Sequence, residues 1–138
     1  MIDGMMKIQI YLLQKKADAF YQKAMDEYLK RLQAYAGVSV SYVKNEKQMA
    51  KAAAKGKKKY YVTCGEQSLT SPEFAEKIQD LSVRGESSID FYIGYGGEDD
   101  MEPFCLSSFT MEPSLTATVL LEQIYRAYRI MNHQAYHK

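Results

Sequence analysis

A glycine-rich segment followed by an acidic run is the part of this sequence best suited to chemistry. Gly94-Tyr95-Gly96-Gly97 directly precedes three consecutive carboxylates, Glu98-Asp99-Asp100. Glycines let the backbone approach a ligand closely, but the spacing differs from the dinucleotide-binding pattern G-x-G-x-x-G. The carboxylates repel a phosphate and tolerate a cationic group such as a sulfonium. The alternative is a plain turn between two strands, and both interpretations stay open.

Histidine and cysteine spacings exclude two classes of site. His133 and His137 lie four residues apart and could face one side of a helix, but no third metal ligand is close in sequence. Cys64 and Cys105 are far apart without a C-x-x-C pattern, which excludes a four-thiolate zinc site and a disulfide-rich scaffold. We therefore expect no metal, two free thiols and a reducing, cytoplasmic location.

One lysine-rich segment concentrates positive charge. It precedes Tyr60 and Tyr61 and contains Lys51, Lys55, Lys57, Lys58 and Lys59. Such a segment contacts the phosphates of a nucleic acid or is simply the solvated end of a helix. Because the whole chain carries a net charge of only +1, any affinity for nucleic acid must come from a local surface.

The length and hydropathy of the chain bound the architecture. With 138 residues, of which 46% are hydrophobic, residues 1–138 form a single domain. No apolar run approaches the roughly 20 residues of a membrane-spanning helix, and the first residues do not resemble a signal peptide. The sequence therefore predicts a soluble protein without a membrane partner.

Alternating patterns predict a regular succession of elements. Asn45, Ser71 and Pro72 mark helix starts, and Gly37 and Gly85 mark helix ends. Apolar periodicity then predicts strands over 8–13, 38–43, 60–62, 89–93 and 104–106, and helices over 17–36, 46–54, 72–84 and 114–132. This order predicts an α/β fold, a mostly parallel sheet with helices on both faces, and ligands beyond the carboxyl ends of the strands.

The last helix is apolar over nearly its whole circumference. Leu120, Ile124, Tyr128 and Met131 add to a stripe that is wider than one side of a small sheet can cover. The pattern predicts burial on two sides and a homodimer built on this helix.

Five segments in one order resemble the RlmH family of SPOUT methyltransferases, over essentially the whole chain. They are Glu27-Tyr28-Leu29-Lys30-Arg31-Leu32, Ser71-Pro72-Glu73-Phe74-Ala75-Glu76-Lys77-Ile78, Ile93-Gly94, Leu120-Leu121-Glu122-Gln123-Ile124-Tyr125-Arg126-Ala127 and Ala135-Tyr136-His137-Lys138. The resemblance implies a trefoil knot at the carboxyl end of the fold and a homodimer. It also implies an enzyme that transfers a methyl group from S-adenosylmethionine, leaving S-adenosylhomocysteine, to ring nitrogen 3 of a pseudouridine in large-subunit (23S) ribosomal RNA of the assembled ribosome.

The resemblance also carries site residues over by position. Arg126, Tyr136 and His137 would lie near the substrate, with Tyr136 and His137 facing the substrate of the partner subunit. The residues that would hold the cofactor are Val62, Thr63, Gly94, Tyr95, Ser107, Ser108, Phe109, Thr110, Met111 and Glu112.

This chain departs from the family at those same positions. Val62-Thr63 replaces Leu-Asp, Tyr95 replaces the second of two glycines, and the segment between Gly94 and Ser107 is several residues shorter. A histidine and an arginine of the family are missing from the run Met111-Glu112-Pro113-Ser114-Leu115-Thr116-Ala117. We therefore expect Tyr95 to narrow the adenosine slot. The alternative function is a knotted dimeric homologue that binds ribosomal RNA or another ligand without methyl transfer.

Overall fold

The computed structural model describes residues 5–16, 18–96 and 98–135, over which strands and helices alternate. The elements are β1 (Lys7–Leu13), α1 (Ala19–Leu32), β2 (Gly37–Val43), α2 (Glu46–Lys55), β3 (Lys59–Cys64), α3 (Ser71–Val83), β4 (Ser88–Ile93), β5 (Glu102–Ser107) and α4 (Pro113–Met131). Each predicted element is present within a few residues of its predicted bounds. The α/β fold class is confirmed.

All five strands belong to one parallel sheet in the order β2-β1-β4-β3-β5. The central strand β4 is buried on both faces, which explains why 89–93 reads as a continuous apolar run around one acidic residue. In β1 the alternation is visible instead, because Ile8, Ile10 and Leu12 are fully buried on one face and Tyr11 lies on the other. The two faces therefore have separate cores.

Three helices cover one face of the sheet and one helix covers the other. The larger core contains side chains of β1 and β4 together with α1, α3 and α4. The smaller core lies under α2 and contains Val43, Met49, Ala53, Tyr92 and Met101. Helices on both faces were predicted, and the structure confirms them.

Helix α3 begins one residue earlier than its sequence suggests. The N-cap is Thr70 rather than Ser71, and Pro72 occupies the second helical position. The reason is a capping box, in which Thr70 Oγ1 accepts from Glu73 N at 3.2 Å and Glu73 Oε1 accepts from Thr70 N at 2.8 Å. Gly85, with φ +90°, follows the helix as expected.

The last helix is covered within the single chain. Leu120, Leu121, Ile124 and Ala127 are fully buried because α4 lies on the sheet between α1 and α3. The two-sided burial is therefore confirmed within one chain, while Met131 of the predicted stripe is only half-buried. The homodimer itself stays a prediction.

A buried cation connects the sheet to the surrounding loops. Lys59 in β3 is 4% exposed, and its Nζ donates to the carbonyl of Ala53 at 2.9 Å and lies 2.7 Å from Asp100 Oδ2. On the neighbouring strand, Asp90 accepts from Tyr92 Oη at 2.9 Å. Burial raises the pKa of Asp90, while the hydrogen bond from Tyr92 and the charge of Lys59 act in the opposite direction.

We predict that Gly56→Ala destabilises the chain by about 1–3 kcal/mol through overpacking. Gly56 has φ −76°, so alanine fits its backbone conformation. A Cβ atom would lie 2.5 Å from Asp90 Oδ2 and 2.9 Å from Lys59 Cδ, which displaces two buried polar side chains. The matched control is Gly37→Ala, whose Cβ meets nothing closer than 4.0 Å. Equal urea midpoints for both variants would contradict the prediction.

We also predict that Tyr128→Phe stabilises the chain by about 1 kcal/mol, because a buried hydroxyl without a partner carries an uncompensated desolvation cost. The hydroxyl of Tyr128 is buried and has no hydrogen-bond partner among the described residues. Burial raises the pKa of Tyr128 to about 12. Above about pH 10 the unfolded state ionises first, so wild type loses stability that the variant keeps. Urea unfolding at pH 7 and pH 10.5 measures both effects, and a destabilised variant at pH 7 would refute the assignment.

Candidate functional site

A pocket of about 290 Å³ lies beyond the carboxyl ends of three adjacent strands, β4, β3 and β5. This is where an open parallel sheet is expected to bind its ligand. Its lining residues come from these strand ends, from the β5–α4 connection and from the first turn of α4. They are Val62, Thr63, Cys64, Ile93, Gly94, Leu106, Phe109, Thr110, Met111, Pro113 and Thr116.

The apolar wall of the pocket follows from the strand register. Val62, Ile93 and Leu106 belong to the three-helix face of the sheet or pack against its core. Gly94 ends β4 with φ +86°, a conformation that glycine adopts at low cost. A Cβ atom there would lie 3.1 Å from Leu13 Cβ, so a side chain would crowd the end of β1. The glycine therefore turns the chain away from the sheet at the rim of the pocket.

The β5–α4 connection forms the other wall. Ser107 Oγ accepts from Phe109 N at 3.0 Å, and Thr116 Oγ1 donates to the carbonyl of Glu112 at 2.9 Å. Cys64 Sγ lies 3.4 Å from Thr110 Oγ1 and joins the end of β3 to this connection. These contacts fix the loop, while the ring of Phe109 stays 77% exposed at the mouth of the pocket.

Most of the predicted cofactor residues meet in this pocket. Among its lining residues are Val62, Thr63, Gly94, Phe109, Thr110 and Met111. Ser107, Ser108 and Glu112 belong to the same connection without lining it, and the carbonyl of Ser107 accepts from Gly65 N at 3.0 Å. Three lining residues from the strand ends were missed, namely Cys64, Ile93 and Leu106. Their position at the ends of predicted strands was the signal for them.

Tyr95 does not fill this pocket. Its ring packs against the smaller core under α2, on the other face of the sheet, and its hydroxyl donates to Glu98. That hydrogen bond is the main cause of a raised pKa of Tyr95. The expectation that the ring narrows an adenosine slot is therefore not met by the position of the side chain. In the acidic run, the carboxylate of Asp100 pairs with Lys59.

Of the three residues expected near the substrate, the structure describes only Arg126, which lies away from the pocket. Arg126 is half-buried on α4, where its Nη2 lies 2.7 Å from Glu122 Oε2. It is ten residues beyond Thr116, which is about 15 Å along the helix axis. Tyr136 and His137 lie outside the described residues. Within one chain, the structure does not bring Arg126 to the pocket.

The chemistry of the pocket is that of a binding site for a largely uncharged group. Among the described residues that line it there is no charged side chain, and they offer apolar walls, hydroxyls and backbone amides. These described lining residues also include no histidine or other base that could take up a proton near neutral pH. The pocket can therefore hold and orient a small molecule but leaves acid–base chemistry to other residues.

Two further classes of site are absent from the described part of the chain. No group of three or more histidine, cysteine, aspartate or glutamate side chains is arranged to hold a metal ion. His133, with φ 56°, simply follows the end of α4. None of the four helices has the length and hydrophobicity needed to cross a bilayer.

Comparison with known proteins adds independent information on ancestry. Residues 6–137 match the family model described as "Predicted SPOUT methyltransferase". A "Ribosomal RNA large subunit methyltransferase H 1" of Thermoanaerobacter sp. (strain X514) is 35% identical over 133 residues, covering 96% of this chain and 100% of that protein. Proteins named "Ribosomal RNA large subunit methyltransferase H" from Clostridium acetobutylicum and Lactobacillus helveticus are 34% and 35% identical over 159 and 162 residues, again with 96% and 100% coverage.

The alignment lengths show that the relatives differ in size. The alignment to the Thermoanaerobacter protein spans that whole protein in 133 positions, so this relative is about as short as the present chain. The other two relatives need 159 and 162 positions and are longer. A protein of about this length therefore occurs among the relatives named as methyltransferases. The family model matches nearly the whole chain, residues 6–137, and the relatives are more than 30% identical to it. The chain therefore belongs to the SPOUT methyltransferase family.

Proposed function

We propose that this chain uses S-adenosylmethionine to methylate ribosomal RNA of the large subunit, at ring nitrogen 3 of a pseudouridine in the assembled ribosome. The observation that carries the proposal is the pocket at the carboxyl ends of β3, β4 and β5, where six residues expected from the RlmH resemblance converge. The names of the relatives support ribosomal RNA as the substrate. Because that substrate is a ribosome, we expect the enzyme to act in the cytoplasm.

The pocket fits one part of the methyl donor by its chemistry. Val62, Ile93 and Leu106 offer apolar walls for an adenine ring, and the backbone of the β5–α4 connection offers hydrogen-bonding groups at its edge. A volume of about 290 Å³ is at the small end for a ligand pocket, so the rest of the molecule would extend past Gly94 towards solvent. When bound, S-adenosylmethionine supplies an already activated methyl group.

The chain's own residues must then orient the acceptor and take up one proton. Ring nitrogen 3 of a pseudouridine loses a proton as its bond to the methyl carbon forms. We assign this proton to His137, because imidazole is the side chain that most often accepts a proton near neutral pH. Tyr136 offers a ring on which a base stacks, and Arg126 offers a cation for a phosphate. Alignment accounts for most of the remaining acceleration.

A homodimer would bring these two halves of the site together. Among the residues that the structure describes, no charged side chain lines the pocket, and Arg126 of the same chain is about 15 Å further along α4. A second copy placed across the mouth of the pocket would contribute its own Arg126, Tyr136 and His137. We retain the trefoil knot as a prediction of family membership as well.

We predict that S-adenosylmethionine and S-adenosylhomocysteine bind the purified chain with sub-millimolar Kd, and that Val62→Phe weakens binding about tenfold or more by filling the pocket. The matched control is Val83→Phe, the same substitution at a 77% exposed position on α3. Tyr95→Phe should bind like wild type, because its ring packs on the other face. Calorimetry measures all four proteins. An absence of binding to wild type would favour the knotted RNA-binding homologue without methyl transfer.

We further predict that a chain ending at Ala135 keeps cofactor affinity and melting temperature but loses ribosome methylation. Ending there keeps the contact in which Arg129 Nη2 donates to the carbonyl of Ala135 at 2.7 Å. Mixing this truncated chain with Val62→Phe should restore about a quarter of wild-type activity, because half of the dimers then contain one intact composite site. Methylation by the truncated chain alone, or no recovery on mixing two folded proteins, would refute the shared site.

A further inference from the structure

The outward face of α2 carries the densest positive charge of the chain. Between Lys44 and Lys59 there are seven lysines and one acidic residue, although the whole chain has a net charge of +1. Lys58 and Lys59 are neutralised by ion pairs with Glu102 and Asp100. The other five are exposed and form no ion pair within the part of the chain that the structure describes: Lys44, Lys47, Lys51, Lys55 and Lys57.

Three of these lysines form a stripe on the side of α2 that points away from the sheet. Lys47, Lys51 and Lys55 are four residues apart, and helical geometry places such residues on one side over about 12 Å of the axis. Met49 and Ala53, which are fully buried against the sheet, lie on the opposite side of the helix. We call these three residues the α2 stripe.

The α2 stripe is unfavourable for the isolated helix. Like charges four residues apart repel each other, and Lys47 lies in the first turn, where the helix dipole disfavours a cation. Glu46 is the one acidic residue in that turn. A helix that keeps these repulsions at its surface is stabilised when an anionic partner supplies the missing negative charge.

We infer that the α2 stripe binds the phosphodiester backbone of the ribosomal RNA and holds the enzyme on its substrate. The inference rests on the proposed function and adds a docking surface to it, separate from the methyl-donor pocket. Lysine ammonium groups contact phosphates as point charges, which provides affinity and position without reading the sequence. A straight row of cations is complementary to the row of phosphates along an RNA backbone. A protein surface that offers a single acidic side chain would pair with only one of the three lysines.

The charges on the other helices agree with this orientation. Helix α3, on the opposite face of the sheet, exposes Glu73, Glu76 and Asp80 and would repel RNA. On α1 the charges are mixed, and Arg31 pairs with Glu27 at 3.0 Å. A membrane surface is the poorer partner, because an interfacial helix inserts its apolar face and that of α2 is covered by the sheet.

The test compares two triple variants with the same change in charge. The first is K47Q/K51Q/K55Q on the α2 stripe, and the control is K7Q/K23Q/K30Q, which removes three exposed lysines from β1 and α1. Affinity is measured for assembled bacterial ribosomes and for a transcript of the large-subunit RNA over a salt series, with kcat and KM for methylation. Calorimetry with S-adenosylmethionine and thermal melting accompany both.

We expect the stripe variant to bind ribosomes and the transcript about tenfold or more weakly than wild type. The slope of log K against log salt should fall by about two to three, because each lysine neutralises one phosphate. Its KM for ribosomes should rise with kcat and cofactor affinity unchanged, while the control variant keeps the wild-type slope. Equal losses of affinity in both variants, or an unchanged salt slope in the stripe variant, would overturn the inference. Loss of ribosome binding with intact transcript binding would also overturn it, because the partner of the stripe would then be a ribosomal protein. Failure of the proposed function is distinguishable, because wild type itself would then neither bind cofactor nor methylate ribosomes.

Discussion

The arrangement of the α2 face depends on the contacts that the buried ammonium group of Lys59 makes. Burying an ion is unfavourable unless its partners are in place, and these partners come from different parts of the chain: the carbonyl of Ala53 at the end of α2 and the carboxylate of Asp100 before β5. Gly56 leaves room for the lysine stem and for Asp90. One charge thus fixes β3, α2 and the β4–β5 connection relative to each other.

The two faces of the sheet carry different features: the uncharged pocket lies on one face and the exposed positive charge lies on the other. On the three-helix side, the described residues that line the pocket offer apolar side chains, hydroxyls and backbone, with no histidine among them to transfer a proton near neutral pH. On the α2 side lie a buried lysine paired with an exposed carboxylate and a row of exposed cations. A methyl donor that is already activated needs mainly a shaped, dry cavity, whereas an RNA substrate needs cations.

Regular structure was predictable because local signals and tertiary packing agree. The apolar periodicity of α4 and the cap at Asn45 gave elements that the structure contains. Side chains that serve tertiary contacts were not predictable, since a lysine in a run of lysines reads as solvated, yet Lys59 is buried. Tyr95 likewise sits beside a glycine turn, and only the sheet decides which face its ring joins. The RlmH resemblance predicted the segments that form the pocket, but not the strand-end residues Cys64, Ile93 and Leu106, nor Pro113 and Thr116 of α4, which carry no local signal for binding.

The position of β4 has a consequence for biosynthesis. In the finished sheet β4 lies between β1 and β3, and β5 pairs only with β3. A nascent chain that has emerged as far as α3 therefore holds β1 and β3 without the strand that joins them. The backbone hydrogen bonds that β1 and β3 later make to β4 have not formed, and the apolar faces of these strands are uncovered. Such a state is prone to aggregation. Long-range parallel pairing is also slow to form. Folding of this domain must therefore be completed late and cooperatively, after the carboxyl-terminal third has been synthesised. Until then the amino-terminal part depends on chaperones or on rapid synthesis to avoid aggregation.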